Sequence, residues 1–273
     1  MPTPAADEIG PWQASPFRAD LLQGKVAIVT GGGTGIGAAI VRELAACGAR
    51  VAICGRRPEP IAAVRQELIS AGGDCLAQTC DIREPTQIAA FVDAVKAQFG
   101  RIDILVNNAG GQRPFLAADM SLEHFEKVIR NNLVGTFAMT QTVARAAMIP
   151  QRSGTIVNII AEIYRGFPGM AHTGAARAGV DNLTKSLAVE WATHKIRVNA
   201  IAPGIIRSTG TDRYPPELVE ISRRETPWKR LGTPEEVAHL ATFLASPAAD
   251  FITGATYYLD GGLALWGDLF PIP

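Results

Sequence analysis

Residues Thr30 to Gly37, with the sequence TGGGTGIG, form a glycine-rich segment between an apolar run and a helix-like run. Glycines permit a tight turn and a close approach of the backbone to a pyrophosphate, and a following helix N-terminus offers free N–H groups to phosphate oxygens. Such a turn alone is a weak signal, but its two flanks supply the strand and helix that a dinucleotide site needs. The residues that we expect to contact the dinucleotide here are Gly31, Gly33, Thr34, Gly35, Ile36 and Gly37.

These flanks are the first pair in a regular alternation along the chain. Lys25–Thr30 is apolar and β-branched, as buried parallel strands are, and a helical stretch follows from about Ala38 to Cys47. Further strand-like runs, separated by helical patterns, fit near residues 50 to 54, 75 to 79, 102 to 106, 154 to 160, 196 to 201 and 255 to 259. This alternation predicts an α/β fold of the Rossmann type, a doubly wound parallel sheet with helices on both faces.

The domain organisation predicted from the sequence is simple. With 273 residues and 47% hydrophobic content, the chain can bury one large core. Residues 1–20 contain prolines and acidic residues but no apolar run, so we expect a loosely ordered arm there and a single domain over 21–273. The segment from about 203 to 234 is rich in Pro, Gly, Thr and Arg and follows a late strand, which predicts a substrate lid.

Charge and composition exclude several classes of partner. A net formal charge of zero and a pI near 6.9 argue against nucleic acid or an anionic membrane surface. No run approaches the length of a membrane span, and we expect no signal peptide within residues 1–20. The four cysteines lack pairing or metal-ligand spacing and the four histidines are scattered, so we predict a cytoplasmic protein without a metal.

Further motifs follow in order: Asp81, Asn107-Asn-Ala-Gly110, Asn132-Leu-Val-Gly-Thr-Phe137, Val198-Asn-Ala-Ile-Ala-Pro-Gly204 and Asp260-Gly-Gly262. Together with the glycine turn, they make the chain resemble a short-chain dehydrogenase/reductase over nearly its whole length. The resemblance implies a nicotinamide dinucleotide that lies across the carboxyl ends of the strands, with Asp81 near the adenine. The other cofactor contacts that it implies are Ile82, Asn108, Ala109, Gly110, Arg177, Pro203, Gly204 and Ile206.

The end of the second strand indicates which dinucleotide is bound. A site for NAD usually has an acidic residue there, which accepts from the ribose 2′-hydroxyl. This chain has Arg56 and Arg57 instead, and arginines suit a 2′-phosphate through charge-assisted hydrogen bonds. We therefore predict NADP(H), with Arg57, next to Pro58, as the residue more easily explained as a solvated bystander.

The resemblance also implies a serine just beyond the fifth strand, then a tyrosine, and a lysine four residues later. The matching positions here are Ala161, Thr173 and Arg177. Alanine donates no side-chain hydrogen bond, a threonine hydroxyl titrates too high to replace a phenol, and arginine holds its proton at any working pH. Alcohol–ketone interconversion by the usual mechanism is therefore not expected.

The replacements themselves carry a second resemblance. The segments His172-Thr-Gly-Ala-Ala-Arg-Ala-Gly-Val-Asp181, Leu187-Ala-Val-Glu-Trp191 and Asn158-Ile-Ile160 are similar to the branch of peroxisomal trans-2-enoyl-CoA reductase and the 2,4-dienoyl-CoA reductases. That similarity implies NADPH-dependent reduction of a carbon–carbon double bond conjugated to an acyl thioester. Such a reaction needs hydrogen bonds to a developing enolate rather than a phenol that protonates an alkoxide.

Three residues are candidates for that role, each with an alternative. Asn132 can hold a water or the thioester oxygen, or it can be a helix cap. Arg177 can hydrogen-bond the nicotinamide ribose as the family lysine does and lend a fixed positive charge. Asp181 matches an aspartate of the dienoyl branch that works with a water, although the spacing fits an ordinary surface pair with Arg177 equally well.

Two hydroxyl-bearing residues complete the predicted catalytic set. Thr173 stands at the position of the family tyrosine. Tyr164 is the phenol of this neighbourhood, on the loop after the fifth strand, where some dienoyl reductases have a reactive tyrosine. Its distance to Arg177 is two residues shorter than in those enzymes, so a loop tyrosine that simply packs is an equal alternative.

Two other functions remain open from the sequence. One is a dehydrogenase for a branched or terpenoid alcohol or aldehyde, and the other is an NADP(H)-binding protein that has lost catalysis. The helical stretches 132–150 and 172–192 are apolar over more than one face, and family members pair through them. We therefore expect a homotetramer or a dimer.

Overall fold

The computed structural model describes residues 15–111, 113–208 and 216–265, and these contain one seven-stranded parallel sheet. The strand order is β3-β2-β1-β4-β5-β6-β7, so the predicted doubly wound parallel fold is confirmed. The strands are β1 Val26–Thr30, β2 Arg50–Gly55, β3 Cys75–Thr79, β4 Ile104–Asn107, β5 Gly154–Ile159, β6 Ile196–Pro203 and β7 Thr256–Leu259.

Helices follow the strands and cover both faces of the sheet. They are α1 Gly35–Ala46, α2 Pro58–Ser70, α3 Pro85–Phe99, α4 Leu122–Ile129, α5 Gly135–Val143, α6 Ile149–Gln151, α7 Ala171–Glu190, α8 Pro216–Glu225 and α9 Pro234–Ala245. The π-helical segments Arg130–Val134 and Ala144–Met148 join α4, α5 and α6 into one continuous helical stretch. None of the helices in the described part is long and apolar enough to cross a membrane.

The two-faced burial of the sheet is visible along β1. Ala27 and Val29 belong to a core that includes residues of α1, α2 and α9. Val26 and Ile28 belong to a second core with residues of α3, α5 and α7. Successive side chains of a strand point to opposite faces, so a strand covered on both sides must be apolar throughout. This is why β1 reads as a continuous apolar run in the sequence.

The helix after the glycine turn begins at Gly35, three residues before the predicted start at Ala38. The first N–H groups of a helix have no intrahelical partner, so the poor helix propensity of glycine matters little there. Close packing also requires a glycine at position 37, because a Cβ there would lie 2.2 Å from the carbonyl oxygen of Gly31.

The strand order also determines where a ligand can bind. β1 pairs with β2 on one side and with β4 on the other, so successive crossovers leave in opposite directions from this point. Helices that diverge above β1 and β4 open a crevice at the carboxyl ends of these strands. The glycine turn, which follows Thr30, and the residues after Asn107 both lie there.

Two predicted segments are described only in part. Residues 1–14 of the predicted arm lie outside the described residues, whereas Ser15 hydrogen-bonds Glu43 of α1 and Phe17 packs against the first core. Residues 209–215 of the predicted lid lie outside them as well. The boundaries of the arm and of the lid therefore stay predictions.

Candidate active site

The glycine turn has the geometry of a phosphate cradle. Gly31 has a φ of +67°, which favours glycine, and its N–H donates to the carbonyl of Cys54 at 2.7 Å. The N-cap residue of α1, Thr34, makes no side-chain cap hydrogen bond, so the first N–H groups of the helix stay available. Backbone donors at a helix N-terminus attract phosphate oxygens, and the turn therefore fits the pyrophosphate of a dinucleotide.

Asn108 and Ala109 hold this turn against β4. The side-chain amide of Asn108 donates to the carbonyls of Thr30 at 3.0 Å and Gly31 at 3.2 Å. The backbone N–H groups of Asn108 and Ala109 both donate to the Thr30 hydroxyl, at 3.0 and 2.9 Å. The motif that begins at Asn107 therefore supports the glycine turn itself. The sequence analysis indicated only that this motif contacts the cofactor.

A cavity of about 310 Å³ opens beside the turn, above the ends of β2 and β3. Nine predicted cofactor residues line it: Gly31, Gly33, Thr34, Arg56, Arg57, Asp81, Ile82, Ala109 and Gly110. Sequence reasoning missed six others: Cys54, Gly55, Pro60, Ile61, Cys80 and Asn131. Most of these are plain apolar or strand-end residues, which carry no motif that would single them out.

The remaining predicted cofactor residues do not line this cavity. Gly35, Ile36 and Gly37 form the first turn of α1. Pro203 ends β6, the N–H of Gly204 donates to the carbonyl of Leu259 at 3.0 Å, and Ile206 bridges to Gly232. These contacts anchor the first residues of the predicted lid to the sheet, and a direct contact of these residues with the cofactor stays a prediction.

Charged residues gather at the far end of the cavity. Arg56 and Arg57 are exposed there, and Arg57 is the N-cap residue of α2. Asp81 accepts two hydrogen bonds from the Nε of Arg83, at 2.9 and 3.0 Å, and also contacts its Nη2. The hydrogen bonds from Arg83 lower the pKa of Asp81, and the positive charge of Arg56 adds to this effect. The sequence reasoning named Asp81 but missed Arg83.

Arg177 is a buried cation without a counterion among the described residues. It lies on α7 with 7% of its surface exposed, and within the described ranges no side chain or carbonyl hydrogen-bonds or ion-pairs with it. Its guanidinium abuts the loop after β4, because a Cβ on Gly110 would lie 2.4 Å from Nη2. Burial lowers the pKa of Arg177 to about 10, so the group remains charged at neutral pH.

Asn132 flanks the same glycine from the other side, since a Cβ on Gly110 would lie 2.6 Å from its Oδ1. Its side chain is fully buried, donates to the carbonyls of Gly111 and Val128 at 3.1 Å each, and accepts from the N–H of Gly111 at 3.2 Å. The alternative of a helix cap is wrong, because Asn132 lies inside the π-helical turn of a continuous helix. The structure thus brings Asn132 and Arg177 together at Gly110.

Thr173 lies below the surface of the cleft. Both Thr173 and His172 are fully buried, and the imidazole Nδ1 of His172 accepts from the backbone N–H of Thr173 at 2.8 Å. The hydroxyl of Thr173 is 3.3 Å from the same nitrogen. A threonine is too short to extend from this position as a tyrosine would, so its hydroxyl meets its own helix instead.

Asp181 and Tyr164 lie against β7 and not against Arg177. Asp181 pairs with Lys185 and accepts from the hydroxyl of Thr256 at 2.5 Å, so the alternative of a surface pair with Arg177 is wrong. Tyr164 is 68% exposed, with its ring edge-on to Tyr258 at 6.1 Å between centroids. Helix spacing alone placed Arg177 and Asp181 together, but α7 turns the first into the interior and the second toward β7.

A buried polar network behind the cleft was not predicted from the sequence. The amide of Asn107 donates to the hydroxyl of Thr140 at 2.7 Å and to Oδ1 of Asn158 at 2.9 Å. Asn158 in turn donates to the hydroxyl of Thr184 at 2.9 Å. This chain of bonds connects β4, β5, α5 and α7, so it holds the loop after β4 in register with the helix that bears Arg177.

Known proteins with related sequences can now be compared with this geometry. Residues 31–264 match the family model described as enoyl-(acyl carrier protein) reductase. The peroxisomal 2,4-dienoyl-CoA reductase of Pongo abelii is 40% identical over 251 residues, which cover 90% of this chain and 86% of that protein. The 3-oxoacyl-(acyl-carrier-protein) reductase FabG of Thermotoga maritima is 39% identical over 246 residues, which cover 89% of this chain and 99% of that protein.

Solved structures share the architecture. The citronellol catabolism dehydrogenase AtuB of Pseudomonas aeruginosa PAO1 superposes with a TM-score of 0.83 and is 42% identical, over 92% of this chain and 99% of that chain. The names of these relatives describe a 2,4-dienoyl-CoA reductase, a 3-oxoacyl reductase and a dehydrogenase of citronellol catabolism. The choice among these reactions depends on the side chains in the cleft.

Proposed function

The chain belongs to the short-chain dehydrogenase/reductase family, and from that premise we propose that it uses NADPH to reduce the carbon–carbon double bond of 2-enoyl- or 2,4-dienoyl-CoA-type thioesters. The observation that carries this proposal is the buried guanidinium of Arg177 beside Gly110, a fixed positive charge without a counterion in the described part of the chain. It occupies the position of the family lysine, while Thr173 replaces the tyrosine.

Arg177 suits the reduction of a conjugated alkene. As hydride reaches the alkene carbon, negative charge develops on the thioester oxygen, and a preorganised donor stabilises it most where water is excluded. A guanidinium provides such a donor. Reduction of a ketone needs instead a hydroxyl that passes its proton to the alkoxide, and the family tyrosine that does so is replaced here by Thr173, whose hydroxyl titrates too high.

The cofactor assignment depends on the same cavity. When bound, NADPH supplies the hydride. The N–H groups at the start of α1 would hold its phosphates, and Arg56 would hold the 2′-phosphate. Among the described residues that line the cavity, Asp81 is the one carboxylate, and it is already paired with Arg83. No carboxylate in this lining is therefore free to select NAD.

An apolar rim at the carboxyl edge of the sheet supports an acyl substrate. The segments between β4 and β5, β5 and α7, and β6 and α9 expose large apolar side chains: Phe115, Leu116, Leu122, Tyr164, Ile205 and Trp228. Each of these side chains is more than a third exposed, and contiguous exposed apolar surface is typical of ligand-binding grooves. An acyl chain that leaves the thioester would bury part of this rim.

A second candidate is favoured by one specific observation. The similarity to the citronellol catabolism dehydrogenase, at 42% identity, supports a branched or terpenoid alcohol or aldehyde as the substrate. The same apolar rim would accept such a molecule. This candidate requires a proton donor for an alkoxide, a role for which Tyr164 is the phenol of this neighbourhood.

The experiment follows the absorbance of NADPH with three groups of substrates: crotonyl-, longer enoyl- and dienoyl-CoA thioesters, simple ketones, and branched or terpenoid aldehydes. Turnover of the thioesters without turnover of ketones is the expected result. Turnover of the aldehydes alone would favour the second candidate. Tight binding of NADPH by calorimetry, without turnover of any substrate, would favour a binding protein that has lost catalysis.

A further inference from the structure

The far end of the cofactor cavity contains charges of both signs. Arg56, Arg57 and Asp81 all line it, so the carboxylate of Asp81 shares one small space with two guanidinium groups. Asp81 is 16% exposed at its side chain, which limits how far water can screen it. A 2′-phosphate that enters this space meets the field of Asp81 as well as that of the arginines.

Arg83 lies next to this carboxylate and is not assigned a role by the family motifs. Its Nε donates to both oxygens of Asp81 at 2.9 and 3.0 Å, its Nη2 contacts Oδ2, and its backbone N–H donates to Oδ1 at 3.0 Å. A guanidinium that engages both oxygens of a carboxylate is well oriented and largely cancels its charge. Without it, the nearest cation that Asp81 could recruit from the cavity lining is an arginine of the 56–57 pair.

We propose that Arg83 determines the preference for NADP(H) by occupying Asp81, which leaves Arg56 free to bind a 2′-phosphate and removes a repulsive charge from its surroundings. The inference rests on the NADP(H) part of the proposed function and not on the reaction catalysed. Arg83 acts on the cofactor through Asp81, so its effect is on the choice between two nucleotides and not on the binding of both.

The test uses nucleotide fragments, which need no turnover. Isothermal calorimetry measures the dissociation constants of 2′,5′-ADP and 5′-AMP for the full chain and for Arg83→Gln. We expect Arg83→Gln to weaken 2′,5′-ADP about tenfold, with less than about a twofold change for 5′-AMP, because only the former has the 2′-phosphate. The effect should shrink at high salt, since a change in packing would not respond to ionic strength.

Three further variants control this result. Arg42→Gln removes an arginine that forms a similar bidentate pair with Glu67, away from the cavity, and should change neither constant. Arg83→Lys keeps the charge and should retain most of the preference. Asp81→Asn combined with Arg83→Gln removes both charges of the pair and should restore the ratio of the dissociation constants of 2′,5′-ADP and 5′-AMP, because an adenine contact of Asp81 is common to both nucleotides.

The outcomes separate this inference from the proposed function. Equal weakening of both nucleotides by Arg83→Gln, or no recovery in the double variant, would overturn the role of Arg83 while the cofactor assignment stands. A natural chain that binds both nucleotides equally would overturn the NADP(H) assignment together with this role. Failure to reduce enoyl thioesters would leave the nucleotide measurements unaffected.

Discussion

At the scale of single residues, Arg177 has the least ordinary environment. Buried charges in proteins are normally paired, and an unpaired one costs free energy. The lowered pKa of Arg177, about 10, records this cost, because burial disfavours the charged form. A perturbed group in a cleft, next to a predicted cofactor cavity, is typical of a functional site.

The first prediction concerns this guanidinium. Arg177→Gln should lower kcat on enoyl thioesters about 10²- to 10³-fold, the usual effect of removing one donor from an oxyanion site. In the natural chain the group is charged below its pKa, so the rate should fall as the pH rises through about 10. The pH profile of kcat measures this fall, and Arg177→Lys should retain more activity than Arg177→Gln. An unchanged alkaline profile in Arg177→Gln would show that another group titrates.

The second prediction concerns the arginine at the end of β2. If Arg56 holds the 2′-phosphate, Arg56→Ala should weaken NADPH by about 1.5–3 kcal/mol, the worth of a charge-assisted hydrogen bond, and weaken NADH much less. Fluorescence titration of both nucleotides measures the difference. Arg57→Ala is the comparison variant and should have the smaller effect, because Arg57 is also exposed beside the cavity but is the N-cap residue of α2. An equal loss for NADPH and NADH would contradict the assignment of Arg56.

At the scale of elements, the loop after β4 and the π-helical turn at Arg130–Val134 form one unit. Asn132 in that turn hydrogen-bonds Gly111 through both its amide and its carbonyl oxygen. π-helical turns often occur at functional sites, because they redirect one side chain out of the regular ladder. Here the side-chain amide of Asn132 holds the loop after β4 beside Arg177.

The third prediction tests the close contact of Gly110 with Arg177 and Asn132. In Gly110→Ala, the new Cβ would lie 2.4 Å from Nη2 of Arg177 and 2.6 Å from Oδ1 of Asn132, so one of the three must move. We expect a loss of stability of about 1–3 kcal/mol, measured by denaturant unfolding, together with weaker binding of NADPH. In an Arg177→Ala background the same substitution should cost less, because one of the two obstacles is gone. Equal costs in both backgrounds would show that the loop simply shifts away.

At the scale of the whole molecule, apolar side chains are exposed on the helices that we expect to assemble. Val134 and Phe137 are 49% and 38% exposed on the continuous helical stretch, and Val189 is 78% exposed on α7. These helices already cover the sheet with another face. Covering their exposed apolar groups with a second copy of the chain would lower the free energy.

The fourth prediction follows from these surfaces. We expect a dimer or a homotetramer by light scattering at micromolar concentration, and Phe137→Glu should shift the mass toward the monomer because it places a charge in the interface. Ile69→Glu is a matched control, since Ile69 is also 38% exposed but lies on α2. A monomeric natural chain, or equal effects of both substitutions, would count against assembly through these helices.

The sequence by itself determined the fold and the glycine cradle. The central strands β1 and β4 are short apolar runs that are buried on both faces, and Gly31 and Gly37 mark a turn whose geometry excludes side chains, so local residue types carry these features. The absence of a phenol at Thr173 and of a lysine at Arg177 was equally visible, because it depends on residue identity alone.

Only the tertiary structure decided what the site side chains contact. The amide of Asn132 donates to the carbonyl of Gly111, and Thr173 is buried against His172. Asp181 pairs with Lys185 and accepts a hydrogen bond from Thr256. These outcomes depend on which helix face meets which loop, and a π-helical turn changes that face without a signature in the local pattern. Spacing along a helix gives neighbours on one surface, but the partners across a cleft come from chain segments far apart in the sequence.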